Sequence, residues 1–385
     1  MMDADTMVLP RLGPADVGVE DPWGEDRPRR GPARPVADAT RWRIAAWLLP
    51  ALLTGALGVV GIGAGLRAGE LPTVRAAGSP WSGPGSALSG AEVTLGPYHL
   101  LARGWAELFG AGAPALRVLS LLAMVGAAAL VGALAARMFT PGTGVLAGAL
   151  FAALPTTTGY AQQAQPYALA VFAAVLATWL LVPALDRPRA RRLVPYAGAV
   201  LLLGLCQPVA LLLLAAHGWV VLAFRRRVAV RWLAAVAPGV FALAALLGAG
   251  VRGGGRVAPG VRADPAVLAA TPRELFGVAA IGAVLLGLAL FSLPLRYAAA
   301  VCTAWALVPA LGLLAVAQVA AVWSPAALVF TLPAWAVLGA AALSRARPPW
   351  AVAGLVLVAL LGISGEVAPT ASRLVDICLI RTFCE

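Results

Sequence analysis

The sequence has 385 residues, of which 61% are hydrophobic and 12% charged, with a net charge of +12 and a mean hydropathy of +0.87. A soluble domain carries about 25% charged residues, and a transmembrane β-barrel shows short alternating strands instead of continuous Leu/Ala/Val runs. Both are excluded in favour of an all-α polytopic membrane protein. The basic balance does not point to nucleic acid, because every basic residue is Arg and most stand at the ends of apolar runs, as bilayer topology requires.

Residues 1–40 are rich in acids and Pro and show no apolar period, which predicts a disordered cytoplasmic tail. Residues 41–365 form the transmembrane domain. Its apolar runs predict about eleven spans, at 44–66, 116–137, 143–158, 167–185, 195–206, 208–224, 232–250, 275–294, 297–317, 326–343 and 350–364. An N-terminus in the cytoplasm puts Arg187, Arg189, Arg191, Arg192, Arg225, Arg226, Arg227, Arg231, Arg345 and Arg347 on the inner side. The outer segments are then 67–115, 159–166, the Gln207-Pro208 break, 251–274 and 318–325, followed by a short C-terminal tail at 366–385. Cys378 and Cys384 in that tail are placed for a local disulfide. Cys206 and Cys302 are ordinary apolar thiols of spans. No His/Cys spacing suggests a zinc site, and no Ser/His/Asp set, phosphate-binding Gly loop or HExxH motif is present.

The first outer loop, 67–115, concentrates ionisable groups in an otherwise apolar chain. Glu70 follows the first span in Arg67-Ala-Gly-Glu70-Leu-Pro-Thr73. A carboxylate there can act as general base toward a hydroxyl or help to bind a divalent metal, and it can equally be a solvated acid beside Arg. Tyr98, Leu101, Trp105, Leu108 and Phe109 recur at helical spacing and predict a helix lying on the outer leaflet with its aromatic side down. His99 lies in this helix. Arg103 and Glu107 are i,i+4 neighbours, which predicts an ion pair. Arg117 heads the second span, where it can hold a phosphate or reach lipid headgroups. Gln163, Gln165 and Tyr167 form a polar group between spans, suited to an interface or a cavity. His217 lies within an apolar span and is expected to hydrogen-bond to a neighbouring helix.

Taken in order, these pieces resemble the membrane-embedded GT-C glycosyltransferases, specifically the protein-mannosyltransferase-like, dolichyl-phosphate-mannose-dependent family of actinobacteria. The resemblance rests on Gly69-Glu70-Leu-Pro-Thr73, Pro97-Tyr98-His99, Trp105, Leu108-Phe109-Gly110 and Arg117-Val-Leu-Ser120. It continues through Gln162-Gln163-Ala164-Gln165-Pro166-Tyr167-Ala168-Leu169 and Pro325-Ala326-Ala327 to Pro333. It implies a plasma-membrane enzyme that moves a sugar, mannose in the family, from a polyprenyl-phosphate carrier to an extracytoplasmic acceptor. Glu70 is then the catalytic carboxylate, with Arg117, Arg103, Tyr98, His99, Gln163, Gln165 and Tyr167 at the donor phosphate or pocket. The resemblance implies no residue as a fixed metal ligand. The sequence departs from the family pattern at Gly69, Gln163, Gln165, Ala326 and Ala327, where the family carries Asp, Glu, Arg, Arg and Tyr. A second reading follows from these departures: a protein that keeps the fold and serves as a binding or scaffolding subunit. A transporter, the third reading, requires charges within spans, and almost none are present.

Overall fold

Long apolar runs must close all their backbone hydrogen bonds internally when they cross hydrocarbon, so they fold as helices. The computed structural model describes residues 36–79, 93–252, 260–290 and 297–345, with Gly354 and Val356. These contain fourteen α-helices and no strand, only an isolated bridge between Val261 and Trp323. Of the expected disordered tail at 1–40, residues 1–35 lie outside the described residues, whereas 36–40 are helical and begin the first helix. Glu92, most of the span at 350–364 and the C-terminal cysteines also lie outside the described residues. Contacts divide the chain between Ala39 and Thr40, and the helix bundle is the part from Thr40 onward.

The helices are α1 (Val36–Val59), α2 (Leu71–Gly78), α3 (Gly96–Phe109), α4 (Ala113–Met138), α5 (Pro141–Ala153), α6 (Pro155–Ala161) and α7 (Tyr167–Asp186). They continue as α8 (Ala190–Cys206), α9 (Leu213–Phe224), α10 (Ala229–Arg252), α11 (Pro265–Phe276), α12 (Ala279–Leu290), α13 (Tyr297–Ala317) and α14 (Leu332–Leu343). Six segments among the described residues are long and apolar enough to cross a membrane, or seven if the bent pair α11–α12 is one span. The chain is therefore a multi-pass membrane protein.

Prolines and glycines set the departures from the expected spans. The run at 143–158 is cut at Leu154, whose extended backbone precedes Pro155, as a residue before proline favours. The expected span at 275–294 is not one straight helix. Gly277, at φ 82°, ends α11, and α12 departs from it at 85°. The Gln207-Pro208 break is present as a 3₁₀ turn at Pro208–Leu212.

The segment 325–343 is almost wholly buried and forms the axis of the bundle, whereas α1 and the 226–249 segment expose most of their apolar surface. Such surface faces lipid in a membrane protein, where association depends on close packing of small residues. Gly132 of α4 lies directly against the backbone carbonyl of Ala46 in α1, and Gly144 of α5 against the carbonyl of Gly132. Neither position has room for a side chain. Gly148 meets the ring of Pro50 in the same way, so glycines bring α1, α4 and α5 into backbone contact.

One polar chain crosses the apolar interior. Trp232 Nε1 donates to Tyr196 Oη (2.9 Å), which donates to His217 Nδ1 (3.0 Å). His217 Nε2 then donates to Thr178 Oγ1 (3.2 Å), which donates to the Ala174 carbonyl (2.9 Å). This direction of bonding fixes the neutral Nε2–H tautomer of His217. The expected bond from His217 to a neighbouring helix is thus made twice, to α7 and to α8.

Candidate functional site at the loop face

α1 stops at Val59, well before Leu66, and the chain turns through 60–66 into a 3₁₀ turn at Ala68–Glu70. The carbonyls left open by this turn are collected by Arg117 from the first turns of α4. Arg117 Nη1 donates to Ile62 O (2.8 Å) and to Ala64 O, and Nη2 donates to Gly65 O (2.9 Å). Its Nε and Nη2 also form a fork onto Glu70 Oε1 (2.8 Å) and Oε2 (2.6 Å). All five guanidinium N–H groups are thereby used, and both side chains are fully buried. Glu70 accepts two further bonds, from the backbone N–H groups of Arg67 and Ala164, each at 2.9 Å. Burial by itself would raise the Glu70 carboxyl, but hydrogen bonds from Arg117, Ala164 and Arg67 outweigh it and hold the pKa at about 2, against an ordinary 4.5.

This geometry bears directly on the two residues the sequence singled out. Arg117 has no N–H left for a phosphate in this arrangement, and Glu70 presents no oxygen to a substrate. The pair instead ties the first outer loop to α4 and to the turn at 162–165. That turn is clamped at two more points. Gln162 Nε2 donates to Leu57 O (3.3 Å), and Gly69 lies against the side-chain amide of Gln165, where a side chain on residue 69 would collide. Gln163 is half-buried and forms no side-chain hydrogen bond with another described residue. Tyr167 packs edge-on against Tyr160, ring centroids 5.0 Å apart.

α3 forms as predicted, but its buried face is Tyr98, Ala102 and Ala106. Leu108 and Phe109 are exposed, so the aromatic side is not one continuous stripe. Arg103 pairs with Glu107 (3.3 Å) as the i,i+4 spacing predicts, and also donates to the Ser79 carbonyl at the end of α2. The buried Tyr98 hydroxyl lies beside Ser120 Oγ and Cys206 without a hydrogen bond of good geometry to either, and burial pushes its pKa up. His99 Nε2 is likewise buried without a partner, and burial pushes the imidazole pKa down. Buried polar atoms of this kind are exceptions in native folds, and Thr94 Oγ1 joins Tyr98 Oη and His99 Nε2 near the start of α3.

Two groups on this face were not singled out from the sequence. A cleft of about 570 Å³ opens between the start of α11 and the 322–325 turn, with Val267, Ala270, Glu274, Trp323 and Ser324 in its walls. The bridge Val261–Trp323 holds its rim, with N···O distances of 3.0 and 3.1 Å. Glu274 is exposed, and its charge reaches the Tyr160 hydroxyl, whose pKa is raised by burial, by Tyr167 and by Glu274. The second is Arg67, an exposed cation whose Nη1 reaches the Gly159 carbonyl only at 3.5 Å. The signal for Glu274 lay in topology alone, as an acid in an outer segment without a motif. Ala326 and Ala327 begin the buried axial segment beside the cleft and bring no polar group. Among the described residues, no three His, Cys, Asp or Glu side chains converge, and the carboxylate of Glu70 is saturated. In this arrangement Glu70 therefore offers no oxygen to a divalent metal.

Residues 97–248 match the family described as dolichyl-phosphate-mannose-protein mannosyltransferase. No protein of curated function matches the sequence significantly. Among solved structures, the chain is similar to ArnT from Cupriavidus metallidurans bound to undecaprenyl phosphate, with a TM-score of 0.58 at 16% identity over 86% of this chain. The apo state of the same protein matches with a TM-score of 0.57 at 15% identity, over 81% of this chain and 61% of that one. The chain spans 65% of the length of the lipid-bound ArnT chain. It is a multi-pass membrane protein that shares the fold of ArnT.

Proposed function

We propose that the protein transfers a sugar from a polyprenyl-phosphate carrier to an acceptor at the loop face. The observation that carries this reading is the fold shared with a protein solved with undecaprenyl phosphate. The matched family description favours mannose as the sugar, and the distribution of Arg favours an extracytoplasmic acceptor. In the reaction the acceptor oxygen attacks the anomeric carbon as the bond to the phosphate oxygen breaks. Polyprenyl phosphate leaves with the electron pair, and a carboxylate takes the hydroxyl proton.

Within this reading Glu70 and Arg117 are positioning residues, because each is saturated by the other and by backbone. Arg67 is the better-placed cation for the donor phosphate, and Glu274 the accessible carboxylate at a cleft. Gln163, Gln165 and Tyr167 shape the intervening surface, Tyr98 packs beneath it, and Arg103 steadies α3 on α2. Proteoliposomes supplied with radiolabelled polyprenyl-phosphate-mannose test the proposal. Transfer above empty liposomes is expected, with a lower kcat in Glu274→Gln and a higher donor KM in Arg67→Gln. Donor binding without any release of polyprenyl phosphate would overturn it.

The second reading, a fold-retaining protein that binds without turnover, is favoured by one contact. Gly69 and Gln165, two positions where the resembled family carries Asp and Arg, touch each other, so both charges are missing from a single place.

A further inference from the structure

The opposite, arginine-rich end of the bundle carries a cavity that glycosyl transfer at the loop face does not use. It is half open, has a volume of about 290 Å³ and is lined by Arg43 and Trp47 of α1, Ala133, Ala136 and Arg137 of α4, and Trp179 of α7. Arg43 and Trp47 are four residues apart and share a helix face. Trp47 meets Trp179 edge to face, with centroids 6.2 Å apart and planes at 84°. The two alanines leave the room, and the backbone contact between Gly132 and Ala46 beside them fixes the separation of α1 and α4. No carboxylate is in the lining, and neither guanidinium forms a hydrogen bond or ion pair with another described residue.

We propose that this cavity binds the phosphate of an anionic phospholipid from the adjoining leaflet. Two guanidinium forks in one cavity match a phosphodiester, whose oxygens accept paired N–H bonds. Indoles sit where headgroup meets hydrocarbon, so Trp47 and Trp179 are suited to flank the glycerol region below the phosphate. An arginine that only snorkels reaches separately into bulk headgroups. Here two from different helices line one half-open cavity, whose size lies at the lower end of small-molecule sites, about 300 Å³.

Native mass spectrometry of the full chain in detergent, titrated with phosphatidylglycerol or phosphatidylcholine, tests the site. The wild type is expected to hold one phosphatidylglycerol at least about tenfold more tightly than phosphatidylcholine. Arg43→Gln/Arg137→Gln is expected to lose that preference, and Arg43→Lys/Arg137→Lys to keep part of it. The control Arg41→Gln/Arg231→Gln removes the same charge from exposed positions outside the cavity and is expected to keep the preference in full. Equal preference in the wild type and the first variant would overturn the proposal, as would equal loss in the control. A parallel arm melts each protein with millimolar inorganic phosphate. Protection of the wild type alone, without phosphatidylglycerol retention, would assign the cavity to free phosphate and overturn the lipid.

Discussion

Glu70 and Arg117, 47 residues apart in sequence, form a bidentate ion pair with no exposed surface on either side chain. Breaking such a buried pair by removing one partner costs about 3–5 kcal/mol, because the remaining charge is left without compensation. Arg117→Ala and Glu70→Gln are therefore expected to lower the melting temperature in detergent, and Glu70→Gln/Arg117→Met to recover part of the loss. A Glu70→Gln protein that melts like the wild type but no longer turns over would return Glu70 to the role of base.

The same pair makes stability depend on acid. The folded carboxyl titrates at about 2 instead of 4.5, so its contribution is complete above about pH 4.5 and is lost as pH falls toward 2. The shift corresponds to roughly 3 kcal/mol. Melting curves between pH 7 and pH 3 are expected to fall below pH 4.5 in the wild type and to be flatter in Glu70→Gln. Parallel curves would show that the carboxylate does not carry this term.

The spans at 116–137 and 167–185 were legible because a bilayer imposes length and apolarity on a continuous run, and α4 and α7 match them closely. The pairing of Glu70 with Arg117 was not legible, since no periodicity links a loop acid to the head of a later helix. The residues were visible, while the saturation of Arg117 by backbone carbonyls and of Glu70 by backbone N–H groups was not. The bend at Gly277 was hidden because Leu275-Phe276 reads as the start of the apolar run that continues through α12, with a single glycine as its mark. Helical spacing predicted α3, but not that Tyr98 is buried with Ala102 and Ala106 against the bundle while Leu108 and Phe109 stay exposed, because spacing alone does not say which stripe a neighbour covers.

Tyr196 holds the centre of the buried polar chain, accepting from Trp232 and donating to His217. Tyr196→Phe leaves the indole N–H and His217 Nδ1 without partners, at about 1–3 kcal/mol for each buried orphan. A lower melting temperature is expected, with donor binding in the surviving folded fraction unchanged. An unchanged melting temperature would mean that another group or a water replaces the hydroxyl.

Gly132 and Gly104 make opposite predictions from the same chemical change. A methyl on Gly132 runs into the Ala46 carbonyl, which belongs to the backbone and cannot swing aside. Gly132→Ala is therefore expected to separate α1 from α4 and destabilise by about 1–3 kcal/mol, the usual effect of overpacking. Gly104 is exposed in the middle of α3 with nothing within 4 Å of an added methyl, so Gly104→Ala removes only the entropic cost of a helical glycine. A gain of about 1 kcal/mol is expected there. Thermal melting of the two variants beside the wild type gives both signs in one measurement. A Gly132→Ala protein as stable as the wild type would show that α1 can move outward into lipid without loss, and that the α1–α4 crossing does not hold the bundle together.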